Sequence, residues 1–222
     1  MVTEVEGRYV VASNATLLGT TGAGDRVVYK PTTGVRPLWD FPADTLGLRE
    51  VWTYRVSTVV APGSVPETVI GDGVYGPGAV QRWIETDERF DPLLLVRRAD
   101  PTLWPLAVLD VVCNNADRKL GHILRLAQRG ALIGIDHGLT FHPEDKLRTV
   151  LWSFAGLEVP ARILARVAEM ATVLEGEAGE TLANELGGEA LAAVQTRVAD
   201  LLLGRRHPDP PHGRPALPWP LQ

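Results

Sequence analysis

From residue 26 to residue 30, RVVYK, apolar and polar side chains alternate with a period of two. That period predicts a strand with Val28 and Lys30 on one face and Val27 and Tyr29 on the other. Upstream, GRYVVASNATLLGTT is apolar and β-branched, broken by the turn-forming SNAT at 13–16; GAGD at 22–25 is a turn, so residues 1–30 read as strands. PTTGVRPLWDFP (31–42) is punctuated by Pro and Gly and reads as loop. A helix follows over TLGLREVWTYRVSTVV, with Asp44 as its candidate N-cap and Leu46, Val51 and Tyr54 as packing positions. PGSVPETVIGDG predicts turns around a short strand, and GAVQRWIET (78–86) a further strand.

Beyond this point the pattern becomes mostly helical. PTLWPLAVLDVVCNN (101–115) is an apolar helix, and residues 160–203 carry helical periodicity with a Gly-containing break near LGGEA. Between them, HILRLAQRGALIGID (122–136) predicts two short strands joined by a turn at Gln128–Gly130. RRHPDPPHGRPALPWPLQ is Pro-rich and extended, and there is no internal repeat.

Composition narrows the class without choosing a function. A chain of 222 residues allows one large domain or two small lobes with ample core. Hydrophobic residues at 45% and charged residues at 22% are ordinary for a globular protein. A net charge of -5 gives the whole molecule no electrostatic reason to seek nucleic acid or an anionic membrane. Cys113, the only cysteine, lies in an apolar run and reads as a small buried hydrophobe. The acidic start MVTEVEGRYVV does not read as a signal peptide, and no apolar stretch reaches the ~20 residues of a membrane span, so the cytoplasm is the expected compartment.

The chemistry concentrates in NNADRKLGHIL (114–124) and GIDHGLTFH (134–142). Asp117 can orient a hydroxyl or accept its proton, while Arg118 and Lys119 can neutralise developing negative charge. Pairing of the two short strands brings His122 and Asp136 to one end of a hairpin, where imidazole and carboxylate make a divalent-metal site, and Gly138 permits a tight turn after it. Upstream, Lys30 on a strand and Glu50 in the next helix can form an ion pair, with Glu67 as the other candidate partner. The order Lys30, Glu50, Asp117, His122, Asp136 is that of kinase-type phosphoryl transfer, and VQRWIE (80–85) stands where a hinge strand would bind adenine.

At these residues the sequence resembles a known family. LDVVCNNADRKLGHIL and LIGIDHGLTF are similar to the catalytic and metal-binding segments of phosphatidylinositol 3-/4-kinase-like proteins, especially the type II phosphatidylinositol 4-kinase pattern, and HipA-type kinases share the layout. ASNATLL, VYKP, RPLWDFP, NNADRK, IDHGLTFH and KLRTVLW together resemble an actinobacterial family of PI3/PI4-kinase-like proteins, over roughly residues 7–160. The resemblance implies an α+β, two-lobed protein-kinase-like fold: a mostly β N-lobe with one helix (1–86), a mostly helical C-lobe (87–204) and a Pro-rich tail (205–222). It implies ATP and Mg²⁺ or Mn²⁺ as cofactors. Lys30, with Glu50, would hold the phosphates; Ser13 and Asn14 would cover them; and Trp83, Ile84 and Glu85 would line the adenine pocket. Asp117 would be the catalytic aspartate, His122 would stand at the usual metal-binding Asn, and Asp136 would be the second metal ligand. Imidazole in place of amide shifts preference from Mg²⁺ toward Mn²⁺.

The chain is small for a lipid kinase and shows no membrane-insertion loop or palmitoylation-type cysteine cluster. The expected acceptors are therefore a protein Ser/Thr, a small alcohol and an inositol lipid, in that order. Lys146 and Arg148 after the metal motif are either anion-binding residues or surface charges at a helix start. His137, in the middle of the Asp-His-Gly turn, is expected to face solvent or donate to backbone. Trp39, Trp83 and Trp152 read as packing residues. Two other readings stay open: a pseudokinase that binds nucleotide with little turnover, and a hydrolytic metal centre built from His122, Asp136, His137, His142 and Asp117.

Overall fold

A computed structural model describes residues 1–8, 15–128 and 130–221. The strand pattern becomes one antiparallel sheet of five strands, β1 (Val2–Arg8), β2 (Leu17–Thr21), β3 (Arg26–Pro31), β4 (Thr68–Gly73) and β5 (Gly76–Arg82), in the order β1-β2-β3-β5-β4. The alternation of β3 sorts its side chains: Val27 and Tyr29 are buried in a small core with Val2 and Leu17, while Lys30 emerges on the opposite face. β3 pairs with β5 so that Lys30 stands opposite Ala79 and Pro31 opposite Gly78. A Cβ at Gly78 would collide with the Lys30 carbonyl, so the strands can approach there only with glycine.

Between β3 and β4 runs α1 (Leu46–Val60), buried on most of its surface through Leu46, Val51, Trp52, Val56 and Val60. Tyr54 is only partly covered. Asp44 does not cap this helix. The chain enters through a 3₁₀ turn, Ala43–Thr45, closed by Thr45 N–H on the Pro42 carbonyl at 3.0 Å, and Asp44 already lies inside the turn. β5 ends at Arg82, earlier than the pattern of 78–86 predicts, and Trp83–Glu85 leave the sheet as a connector.

The rest is helical, with one hairpin. After the short α2 (Leu93–Arg97), α3 (Trp104–Cys113) is buried at nearly every position and, with α1, α4 (Ala161–Leu174) and α6 (Gly188–Gly204), forms the large core. α5 (Glu177–Leu186) completes the set, so the periodic stretch holds a second break at Glu175–Gly176 besides the one at Gly187. Cys113 is buried as a hydrophobe, and burial pushes its thiol far above the ordinary range. The two short strands form an antiparallel pair, β6 (Ile123–Arg125) with β7 (Leu132–Gly134). Residues 146–149 do not start a helix; a turn follows at Val150–Leu151 and leads into a 3₁₀ helix, Trp152–Phe154. No helix among the described residues is long and apolar enough to cross a membrane.

Candidate active site

α3 ends because Asn114 turns left-handed, at φ 55°, a conformation Asn tolerates. Its amide then fixes the loop that follows Asp136: Nδ2 donates to the carbonyls of His142 (2.9 Å) and Glu144 (2.7 Å), and Oδ1 accepts from Lys146 N–H (3.0 Å). Asn115 accepts the Asp117 N–H at 3.0 Å and donates to Asp110 at 2.9 Å. Asp117 is thus held at the edge of a rigid loop, with Lys119 Nζ 3.0 Å from its Oδ2. Burial raises its carboxyl to about 6; Lys119 opposes the shift.

The hairpin brings the second group of residues in. His122 lies in a 3₁₀ turn just before β6, and its backbone carbonyl accepts the Ile135 N–H at 3.1 Å. Asp136 follows in the left-handed region, at φ 59°; the turn depends on this aspartate rather than on Gly138. His122 Nε2 then lies 3.4 Å from Asp136 Oδ2, and Lys30 Nζ lies 3.0 Å from Asp136 Oδ1 while pairing with Glu50. The Asp136 carboxylate is half exposed, and Lys30 above all holds it well below the usual carboxylate range. The two carboxylates raise the Lys30 ammonium, outweighing its burial. Burial raises Glu50, against the pull of Lys30.

α1 is locked to the same loop. The His137 N–H donates to Glu50, Arg49 donates to the Thr140 carbonyl, and the Thr53 and Thr140 hydroxyls lie 3.2 Å apart. Lys30, Glu50 and Asp136 are therefore fixed together by three elements far apart in sequence.

The structure corrects several expectations. Arg118 does not face the cleft: it is fully buried and donates to Asp110 at 2.8–3.1 Å, to the carbonyls of His122 and Ile135 at 3.2 Å each, and to His137 Nε2 at 2.6 Å. A guanidinium whose donors are spent inside cannot reach a transferring phosphoryl group. His137 is likewise fully buried, and desolvation keeps it neutral. His142 bonds the Glu144 N–H and packs edge-on against Phe41, so His137 and His142 do not join His122 and Asp136. Among the described residues no three His, Cys, Asp or Glu side chains gather as a metal cluster. Lys146 is engaged with Glu144 (3.1 Å) and Asp40 (3.5 Å), under Trp39, which is 90% exposed rather than packed. Arg148 Nε donates to the Ala116 carbonyl at 2.9 Å, beside Asp117.

Trp83, Ile84 and Glu85 join the sheet to the hairpin: Trp83 N–H donates to Arg26 (3.1 Å), and the Glu85 carbonyl accepts Ala127 N–H (3.1 Å). Ser13 and Asn14 lie outside the described residues. Asp110, Asn114, Asn115 and Thr140 carry the scaffolding that sequence reasoning missed. Only Asp110 left a signal, as a single acid inside the apolar run LAVLDVVC.

His122 Nδ1 lies 2.9 Å from the Asp117 carbonyl, so it carries the proton. Burial lowers the imidazole to about 4, which leaves Nε2 an unprotonated acceptor aimed at another acceptor, Asp136 Oδ2. Two facing acceptors gain from a cation between them, and a bond from Nδ1–H to a backbone carbonyl is the usual way of orienting a metal-ligating histidine.

No protein-family model matches the chain. It is 39% identical over 254 residues to Protein Rv2133c of Mycobacterium tuberculosis, covering 97% of this chain and 91% of that protein. Among solved structures it superimposes on the Golgi casein kinase with Mn/ADP bound (TM-score 0.54, 12% identity, 91% of this chain and 71% of that one). A second structure of the Golgi casein kinase gives TM-score 0.57 at 12% identity, over 91% and 72%. The Helicobacter pylori proinflammatory kinase CtkA gives TM-score 0.53 at 11% identity, over 90% and 91%. The fold is protein-kinase-like, an α+β arrangement with a mostly β N-terminal sheet.

Proposed function

We propose that this chain, which belongs to the family of Protein Rv2133c, is an ATP-dependent phosphotransferase acting on a hydroxyl acceptor. The observation that carries this reading is the convergence of Lys30, Glu50, Asp136 and His122, with Lys30 Nζ 3.0 Å from one oxygen of Asp136 and His122 Nε2 3.4 Å from the other. Kinase-type transfer needs that set: a cation for phosphates, an acid to hold the cation, and ligands for a divalent ion. The Mn/ADP held by the Golgi casein kinase is consistent with it.

In this reading residues 1–86 and 87–204 act as the two lobes, with ATP between them. Lys30 binds phosphate oxygens, Trp83, Ile84 and Glu85 line the adenine pocket, and Ser13 and Asn14 cover the phosphates. His122 and Asp136 would hold Mg²⁺ or Mn²⁺, and the ion, when bound, neutralises charge on the phosphates. Asp117 receives the proton of the attacking hydroxyl. Lys119, paired with Asp117, faces the same reaction. A protein Ser/Thr or a small alcohol is a better acceptor than an inositol lipid, and the PI3/PI4-kinase-like motifs NNADRK and IDHGLTF are read as shared machinery rather than shared substrate.

The test is thermal unfolding with ATP plus Mg²⁺ or Mn²⁺. At a hundred times its Kd, a ligand specific for the native state adds about 2.7 kcal/mol. Metal-dependent stabilisation that disappears in Asp136→Ala and in Lys30→Met supports the reading. A folded wild-type protein that ATP and either metal leave unchanged refutes it.

A further inference from the structure

The Pro-rich C-terminal segment is bound to the loop that faces Asp117. After α6, the backbone of Arg206 forms an antiparallel bridge with that of Glu158, and His207 is buried among the rings of Trp104, Trp152 and Phe154. Farther on, Arg214 donates to the Leu147 carbonyl at 3.0 Å and pairs with Asp145 at 2.5 Å. The Ala216 carbonyl accepts the Thr149 N–H at 3.2 Å and the Trp152 indole at 2.7 Å. The Leu221 carbonyl accepts the N–H of Leu120, three residues past Asp117, at 2.9 Å.

The partner of this segment is itself tied to the catalytic loop. Arg148 N–H donates to Asn115 (2.9 Å), Arg118 N–H to Arg148 (3.0 Å), and Val150 N–H to Arg118 (3.1 Å). Hydrogen bonds to main-chain groups therefore join three stretches, 115–118, 147–150 and 214–221, the last of which bends at Arg214, Leu217 and Trp219–Pro220. The outermost is a polypeptide laid against the segment that borders Asp117.

Two properties of that outer stretch decide what it is. Residues 205–222 contain six prolines and no Ser, Thr or Tyr. Proline presets an extended backbone and lowers the entropy lost on docking. The absence of a hydroxyl means that the segment offers no acceptor for transfer to an alcohol oxygen. Its hold is also partial: Leu217 is 48% exposed, Trp219 89% and Leu221 41%, so beyond His207 the attachment rests on one buried ring, Pro218, a few hydrogen bonds and one rim ion pair. A competitor can displace such a segment.

We propose that the edge formed by residues 147–150 is the acceptor groove, that its substrate is a polypeptide segment carrying Ser or Thr, and that residues 214–221 occupy it as a built-in, hydroxyl-free competitor. This rests on the phosphotransferase reading and names its substrate class. A serine placed in register would react as a substrate does. Its oxygen forms the new bond to the γ-phosphorus of ATP, the bond from that phosphorus to the β–γ bridging oxygen breaks, the hydroxyl proton passes to Asp117, and ADP leaves.

The experiment uses the full chain with one serine added at a time: Pro218→Ser, Trp219→Ser, Pro220→Ser and Leu221→Ser, each retaining His207, Arg214 and Ala216. Each variant is incubated with ATP and Mn²⁺, and the site of modification is read by mass spectrometry. At least one should gain a single phosphate on the new serine, at a rate independent of protein concentration, and Asp117→Asn should abolish it. In parallel, Arg214→Glu, which sets a carboxylate against Asp145, should lower KM severalfold for a synthetic peptide of residues 212–221 carrying Trp219→Ser, with kcat unchanged. If ATP and metal stabilise the variants as they do the wild type, yet no introduced serine is modified and Arg214→Glu leaves KM unmoved, the groove assignment is wrong. If ATP and metal stabilise none of the proteins, the phosphotransferase reading falls with it.

Discussion

Replacing Asp110 by alanine should destabilise the protein more than any change in the cleft itself. The Asp110 carboxylate is 1% exposed and the Arg118 guanidinium 0% exposed, at 2.8 Å. Asp110 also accepts from Asn115 Nδ2 at 2.9 Å and Thr149 Oγ1 at 3.1 Å. In Asp110→Ala the guanidinium stays buried without its counter-charge, and removing one member of such a pair costs about 3–5 kcal/mol. For a chain of this size each kcal/mol moves Tm by roughly 2–4 °C, so a fall of roughly 6–20 °C is expected. Arg118→Met leaves Asp110 buried and uncompensated and should cost a similar amount. The double variant Asp110→Leu/Arg118→Met removes both charges, and its cost should fall short of the sum of the single changes by at least about 2 kcal/mol. Urea unfolding followed by circular dichroism measures all three. A loss under about 1 kcal/mol in Asp110→Ala, or simple additivity in the double variant, would refute this account of the buried pair.

Turnover should depend on Asp117 in its ionised form. Burial raises that carboxyl to about 6, so the rate rises as pH increases through about 6 and is lost below it; a pH profile that is flat across that range contradicts the assignment. His122, lowered to about 4, is already neutral as pH falls past the ordinary 6.5, so metal-dependent stabilisation should persist from 6.5 down toward 4. Replacing it by Asn should shift the metal preference from Mn²⁺ toward Mg²⁺, read as the ratio of the two thermal shifts. Trp39→Ala should change stability by less than about 0.5 kcal/mol, because the ring is 90% exposed; a larger loss in urea unfolding would mean that the ring packs after all.

The sequence alone determined what repeats locally or follows from order. The period of two in RVVYK placed Lys30 on the face away from Tyr29, and the apolar run 101–115 specified a buried helix. The hairpin of 122–136 could be read from its two apolar strands and Gly-containing turn, and pairing those strands brings His122 to Asp136. The choice of Glu50 over Glu67 needed the fold, because an ion pair across a sheet and a helix depends on how α1 docks; Glu67 stands at the foot of β4.

Only the tertiary structure decided where loop side chains point, because no period constrains a loop. Arg118 and Lys119 are adjacent and both cationic, yet one is wholly buried in a pair with Asp110 and the other pairs with Asp117. The difference comes from Asp110, a full turn of helix and a loop away, whose buried carboxylate can be compensated only by a guanidinium reaching inward. His137 turned inward for the same reason, since Arg118 offers its ring an N–H donor. Trp39 was left exposed because the neighbouring Phe41 fills the core position between Leu46 and Ala116. The course of the Pro-rich tail was equally invisible in sequence: its prolines preset φ, but the edge it lies against is assembled from residues 67–101 positions upstream.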